Sequence, residues 1–146
     1  MKFRGANGKP LVVQLQRLLA SYPGSSGKIA RSKLFWKCRL QPQSITATYL
    51  IQVEYRLGRK PVVYVSEGKL ACEKDLNIIP HHFEVFDDGR VHVCLDKYDW
   101  NSNMLLAESI VPWAMEWAIY YEIWLVTGVW HADEVPHGTG GLKNLD

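Results

Sequence analysis

Hydrophobic residues near the start of the chain recur at helical spacing, which predicts an amphipathic helix. Pro10 stands where a helix tolerates proline best, at its first turn, and Tyr22-Pro23-Gly24 supplies a stop signal. The predicted helix therefore lies between these two signals. Its apolar side is expected to carry Leu11, Val12, Leu15, Leu18 and Leu19, and its polar side Gln14, Gln16 and Arg17.

Three later stretches alternate between apolar and polar residues, which is typical of strands with one buried face. They follow a predicted loop, Ser25-Ser26-Gly27, and run from Leu34 to Leu40, from Ile45 to Tyr55 and from Pro61 to Val65. The turn Leu57-Gly58-Arg59-Lys60 separates the last two. Because strands joined by short turns pair in antiparallel fashion, the pattern predicts an antiparallel meander.

Residues 66–90 have no clear period and contain several turn-forming residues, which predicts a long loop. Alternation returns immediately afterwards, in a short apolar stretch that predicts another strand. In this strand Val91, Val93 and Leu95 would face the core, and His92, Cys94 and Asp96 would share the opposite face. The pattern therefore places a thiol beside an imidazole and a carboxylate, on the face that is more accessible to water.

The chain becomes helical again from Met104, and Pro112 is placed to begin a helix that runs to Thr127 and ends at Gly128. This helix is apolar around most of its girth, so it must be buried against the sheet or, alternatively, in a homodimer contact. Residues 132–146 are expected to form a mobile tail. The helix carries an aromatic stripe of Trp113, Trp117, Tyr120 and Trp124, next to a face of Ala114, Ala118, Tyr121 and Leu125.

The composition predicts one α+β domain over residues 1–146, with a core at about 10–131. The chain has 146 residues, of which 47% are hydrophobic. Its three cysteines form no CxxC pair, which favours a reducing compartment and a cytoplasmic location. The most apolar segment, from Ile110 to Val126, contains a proline and two glutamates, so no membrane span is expected.

Charge is distributed very unevenly along the chain. Residues 1–60 hold twelve Lys and Arg against one acid, Glu54, which gives a net charge of +11. Residues 61–146 hold five Lys and Arg against fourteen Asp and Glu, which gives −9. The first part could therefore present a basic docking face to an acidic partner or to nucleic acid. Alternatively, the two parts neutralise each other across the folded surface. A nucleic-acid role rests on this split alone and is not favoured.

Of the three cysteines, Cys94 alone has neighbours suited to nucleophilic chemistry. Cys38 alternates in phase with core residues, and Cys72 lies in the predicted loop without an imidazole nearby in sequence. The alternative for Cys94 is that it serves as one more buried small hydrophobe. The pair His81-His82 could suggest zinc, but no second Cys or His pair stands at metal-ligand spacing, so no metal site is predicted.

The order of these parts resembles the ubiquitin-conjugating enzymes. The residues that carry the resemblance are Gly89, then Cys94-Leu95-Asp96, then Trp100, followed by a helix. Together with the segments 110–117 and 121–131, they are similar to a prokaryotic, E2-like branch of bacterial antiphage operons based on cyclic oligonucleotides (CBASS). The resemblance covers about residues 10–131.

The resemblance implies a ubiquitin-conjugating-enzyme-like fold: an N-terminal helix, a meander sheet, an active-site loop and a C-terminal crossing helix. It implies that Cys94 accepts the C-terminal carboxyl group of a protein as a thioester and transfers it to an amine, without a cofactor. The expected acyl donor is a cGAS-like nucleotidyltransferase or a ubiquitin-like protein, with or without an adenylating enzyme. A non-catalytic binding module of the same fold and a cysteine hydrolase of such conjugates stay open as alternatives.

The family's His-Pro-Asn motif is absent, so the group that supports the oxyanion stays open. In a regular strand His92 would lie about 6.6 Å along the chain from Cys94, too far for a direct hydrogen bond. His81 or His82, which follow Pro80 in the loop, are the better candidates for a general base or an oxyanion donor. Asp96 or Asp99 would orient the incoming amine.

Overall fold

The computed structural model describes residues 8–66, 82–86, 88–96 and 98–130, and of 82–85 it describes the backbone. One helix, α1, spans Leu11–Ser21, and a second, α2, spans Ile110–Thr127 after a short 3-10 turn at Leu106–Glu108. Between the two helices lie the strands β1 (Ser26–Ala30), β2 (Lys33–Leu40), β3 (Tyr49–Tyr55), β4 (Val62–Ser66), β5 (His82–Val85) and β6 (Val91–Val93).

All six strands form one antiparallel sheet in the order β1-β2-β3-β4-β6-β5. Strands β1 to β4 each pair with the next along the chain, so the predicted meander and the α+β class are confirmed. Strand β6 then pairs with β4, and β5 lies outside β6 at the sheet edge. This arrangement places the end of β6, where Cys94 follows, beside the start of β4.

Both helices pack on the same face of the sheet. Helix α1 contacts β1 and β2, and α2 contacts β3 and β4. The residues that alternate inward along the strands join the helices in one core, whereas no described element covers the opposite face. The sheet therefore has one buried and one open side. The strands contribute Leu34, Trp36, Cys38, Tyr49, Ile51, Val53, Tyr55, Val63, Val65, Val91 and Val93 to the core.

Two predicted strand boundaries in the first half of the sheet were wrong. Ser26 and Gly27, assigned to a loop, begin β1, whose residues are mostly exposed and so show no alternation. Gly27 is required there, because a Cβ atom would lie 2.7 Å from both Leu15 and the Phe35 carbonyl oxygen. The strand predicted from Ile45 begins only at Tyr49, since Thr46 and Gln43 close a turn through mutual hydrogen bonds that leaves Ile45 86% exposed.

The long loop predicted for residues 66–90 is interrupted by β5, which the aperiodic sequence did not reveal. Much of the remaining segment, including Cys72 and His81, lies outside the described residues. The tail predicted for 132–146 also lies outside them.

Helix α1 has its predicted limits, but the prediction that Gln14 lies on a solvent-exposed side was wrong. Gln14 is fully buried, while Val12 and Leu19 are 59% and 39% exposed. Its side-chain amide donates to the Met104 carbonyl oxygen at 2.9 Å, and its amide oxygen accepts the Leu106 N–H at 2.8 Å. Burial is tolerated because both polar groups of the side chain are satisfied. These bonds tie α1 to the segment that leads into α2.

Helix α2 begins at Ile110, two residues before the predicted Pro112, and ends as predicted at Gly128, which adopts φ 77° and donates to the Trp124 carbonyl oxygen. Its packing against the sheet confirms the predicted core role, although Trp113, Tyr120 and Trp124 are only half-buried. The innermost residues of the helix are Ile110, Val111, Ala114, Trp117, Ala118 and Tyr121.

A carboxylate also joins α2 to the sheet. Glu122 accepts hydrogen bonds from the Ala47 N–H at 2.7 Å and the Tyr49 hydroxyl at 2.6 Å. Burial, then this hydrogen bond, raises the pKa of Tyr49. The hydroxyl therefore remains a donor at physiological pH, which fixes α2 at the start of β3. Neither described helix has the length and hydrophobicity that a membrane-spanning segment requires.

Replacing Gln14 with Leu should lower the free energy of unfolding by about 2–4 kcal/mol, because a buried carbonyl and a buried N–H lose their partners. Urea-induced unfolding followed by tryptophan fluorescence measures this change. Gln16→Leu is the matched control, since Gln16 is exposed on the same helix, and we expect a change below about 0.5 kcal/mol. Equal effects of the two substitutions would contradict a structural role for the Gln14 hydrogen bonds.

Candidate functional site

The candidate nucleophile lies just beyond a strand rather than inside it. The strand predicted to reach Leu95 ends at Val93, so Cys94 is the first residue after β6. Its side chain is half-buried, neither sealed in the core nor fully exposed. Cys38, by contrast, is a core residue with 7% exposure, as its alternation predicted. Both are free thiols.

Two charged side chains lie next to this thiol. Asp96 is exposed, and its Oδ1 atom lies 3.6 Å from the Nζ atom of Lys60. Lys60 directly follows the turn between β3 and β4, where Gly58 adopts φ 85° and Arg59 donates its N–H to the Arg56 carbonyl oxygen. Because β4 pairs with β6, this turn places the ammonium group of Lys60 beside the residues that follow β6.

Burial and nearby groups shift the pKa of Cys94 in opposite directions. Burial raises the pKa of Cys94 most, and the Asp96 carboxylate raises it further. A hydrogen bond from the Asp96 backbone N–H and the positive charge of Lys60 act in the opposite direction. The net result is a pKa above the ordinary value, so Cys94 is predominantly a protonated thiol at neutral pH.

A groove of about 380 Å³ runs beside Cys94. Its walls come from the start of β4, from residues on either side of Cys94, and from the segment 98–100. Val93 and Leu95, the residues on either side of Cys94, belong to the lining, whereas Cys94 itself does not. Lys60, Asp96 and Asp99 supply charge along an otherwise largely apolar surface. Such a lining is chemically suited to an extended chain with apolar side chains and one cationic group.

Aromatic contacts hold the segment that follows the thiol. The ring of Tyr98 stacks on that of Trp113 in α2, with centroids 4.4 Å apart and planes within 5°. Trp100 packs edge-on against Tyr55 of β3 at 5.4 Å. The Tyr98 N–H also donates to the Leu95 carbonyl oxygen. One wall of the groove is therefore anchored to both the helix and the sheet.

The structure separates the predicted histidines. His92 lies in β6, opposite Tyr64 in the ladder, with the two rings 5.6 Å apart. The backbone of His82 pairs with Val93, the residue before Cys94, so β5 brings His82 beside the nucleophile's strand. Its side-chain role stays a prediction, and His81 lies outside the described residues.

Sequence reasoning did not find Lys60 as a neighbour of Asp96, nor the Tyr98–Trp113 stack. No local pattern signals either contact, since 36 positions separate Lys60 from Asp96 in the chain. The turn before β4 was predicted, but only the pairing of β4 with β6 identifies what the turn contacts. Within the described part of the chain, no cluster of three or more His, Cys, Asp or Glu residues could hold a metal ion.

No curated protein matches this chain. A family model described as type II CBASS E2 protein matches residues 14–138. This range includes most of α1, all of α2, the whole sheet and Cys94. The match confirms the resemblance to E2-like proteins of CBASS operons. It covers most of the chain, and the chain therefore belongs to the type II CBASS E2 protein family.

Proposed function

We propose that this protein acts in antiphage defence as a cysteine-dependent acyl carrier and transferase, with Cys94 as the nucleophile. The observation that carries the proposal is a half-buried thiol directly after β6, close to the Asp96 carboxylate, whose two chain neighbours line a groove. An antiparallel sheet with both helices on one face supports a ubiquitin-conjugating-enzyme-like fold. Membership of a CBASS E2 family supports the same kind of chemistry.

The proposed reaction has two acyl-transfer steps. First, the Cys94 sulfur attacks the activated C-terminal carbonyl of a protein; the C–S bond forms, the leaving group departs and the thiol proton passes to a base. Then an amine attacks the thioester; the C–N bond forms, the C–S bond breaks, and the sulfur regains a proton. The product is an amide, as on a lysine side chain.

Because burial raises the pKa of Cys94, the resting enzyme holds a weak nucleophile. The thiol must therefore lose its proton when the substrates bind, and a nearby base assists this step. We assign that role, or donation to the oxyanion, to His82 on β5, whose backbone pairs with the residue before Cys94. His81 is the alternative. A resting protonated thiol limits reaction with unrelated electrophiles.

The acidic side chains of the groove suit the second step. Asp96 is exposed and Asp99 lies in the same lining, so both can attract the ammonium group of an incoming lysine. Lys60 offsets part of this charge through its contact with Asp96. We propose a cGAS-like nucleotidyltransferase or a ubiquitin-like protein as the acyl donor, activated as an adenylate by a separate enzyme where the operon contains one.

One observation favours a second candidate. A thiol whose pKa is raised is also what a non-catalytic binding module of this fold would contain. The two candidates differ in whether a covalent adduct forms at Cys94, so the same experiment separates them.

Cys94→Ala should abolish a thiol-sensitive adduct between this protein and a partner when the protein is co-expressed with its genomic neighbours. Intact-mass spectrometry and non-reducing gels measure the adduct. The loss should be complete, since no other described residue can form a thioester at this site. Cys94→Ser should instead accumulate an ester that resists thiols and is cleaved by mild base.

Cys38→Ala is the matched control. Cys38 is buried in the core, so the Cys38→Ala variant should still form the adduct at Cys94. An adduct that survives in Cys94→Ala would refute the assignment of the nucleophile. Absence of an adduct in the unsubstituted protein, with all neighbours present, would favour the binding module.

The charges beside the thiol give a second prediction. Asp96→Asn should lower the pKa of Cys94 and Lys60→Ala should raise it, because the two charges act on the thiolate with opposite sign. At about pH 8, alkylation of Cys94 by iodoacetamide should be about twofold faster in Asp96→Asn and about twofold slower in Lys60→Ala. Mass spectrometry of the Cys94 peptide measures the rate.

The alkylation rate should also continue to rise above about pH 8.5, the ordinary pKa of a cysteine. Asp88→Asn is the control, since Asp88 is exposed and paired with Arg90, and should leave the rate unchanged. A reversed order of the two variants, or a rate that levels off below the ordinary pKa, would contradict the electrostatic account of the site.

A further inference from the structure

A group of five lysines and arginines lines a groove on the open face of the sheet. A groove of about 800 Å³ crosses the outer side of β1, β2 and β3. We call this the basic sheet face and define it by its charged lining residues, Lys28, Arg31, Lys33, Lys37, Glu54 and Arg56. We propose that the basic sheet face is a docking surface for an acidic segment of polypeptide in extended conformation.

The charge balance supports this assignment. Five cations and one carboxylate line the groove, which gives a net charge of +4. Lys33 neutralises the carboxylate through an ion pair of 2.9 Å with Glu54. Lys28 and Lys37 are exposed on neighbouring strands. A concave surface with an excess of one sign attracts a ligand of the opposite sign.

The register of the strands gives the cations a regular spacing. Lys33, Phe35 and Lys37 alternate on the outer face of β2, so neighbouring positions lie about 6.6–6.8 Å apart. Lys28 stands opposite Phe35 on β1. An extended peptide repeats its side chains at the same interval. Acidic residues at successive outward positions of such a peptide could therefore lie opposite the Lys28–Phe35 pair and opposite Lys37.

Two features favour a polypeptide over a nucleic acid. The Nζ atoms of Lys28 and Lys33 lie 5.9 and 5.2 Å from the centre of the Phe35 ring, which occupies the face on which a base would stack. Glu54 lines the groove opposite Phe35 and presents a hydrogen-bond acceptor, for which a phosphate backbone has no donor. A peptide instead supplies N–H donors that a carboxylate accepts.

This surface is separate from the candidate active site. The groove beside Cys94 and the basic sheet face share no lining residue. The docking proposal therefore does not depend on thioester chemistry at Cys94. It assigns five of the twelve lysines and arginines of the first 60 residues to recognition of a partner, by a surface that a sequence pattern alone could not locate.

The test measures binding of a fluorescein-labelled peptide of about ten residues, in which glutamate alternates with threonine, by fluorescence anisotropy. The double variant Lys28→Ser/Lys37→Ser should bind this peptide about five- to tenfold more weakly than the unsubstituted protein. Arg17→Ser/Arg59→Ser removes the same charge from exposed positions outside the groove and should change affinity less than about twofold.

Four further measurements complete the test. Affinity for the glutamate peptide should fall with added salt, and a glutamine-threonine peptide should not bind. Labelled oligothymidylate of similar length should bind more weakly than the acidic peptide. Equal weakening by both double variants, no binding of the acidic peptide, or tighter binding of the oligonucleotide would each overturn the proposal. Alkylation of Cys94 should be the same in Lys28→Ser/Lys37→Ser as in the unsubstituted protein, which separates this result from the catalytic proposal.

Discussion

One-sided burial of the antiparallel sheet is the constraint on which the other features of this protein depend. Alternate residues of β2, β3 and β4 point into a single core, and both helices cover that side. Each strand therefore leaves its remaining side chains on an open face. The turns between strands and the residues after β6 lie at the edge of this two-layer arrangement, which we call the rim.

The candidate nucleophile lies at that rim. Cys94 follows the end of β6, where pairing stops and the backbone leaves the sheet. Stacking of Tyr98 on Trp113 and packing of Trp100 on Tyr55 hold the subsequent segment against both layers. The thiol is half-buried, which raises its pKa, and the residues on either side of it line a groove. The same aromatic contacts therefore stabilise the rim and restrain the segment that follows the candidate nucleophile.

The uneven charge distribution of the chain acquires a spatial meaning in the fold. The first 60 residues include β1, β2 and β3, and five of their twelve lysines and arginines line the groove on the open face. Asp96 and Asp99, from the acidic part of the chain, lie instead in the groove beside Cys94. The two surfaces have different lining residues and different charge, which is why we propose a different partner for each: an acidic segment on the sheet and an incoming amine near the thiol.

The sequence by itself determined the features that depend on neighbouring residues. Helical spacing and stop signals located α1 and the end of α2, alternation located β2 and β4, and Cys94-Leu95-Asp96 with its surroundings indicated the family. Only the tertiary structure decided the burial of Gln14, the contact of Lys60 with Asp96, and the gathering of cations on one face. These depend on contacts between distant segments, which local periodicity does not encode. The exposed strand β1 escaped prediction for a related reason, since its pairing with β2, and not a buried face of its own, defines it.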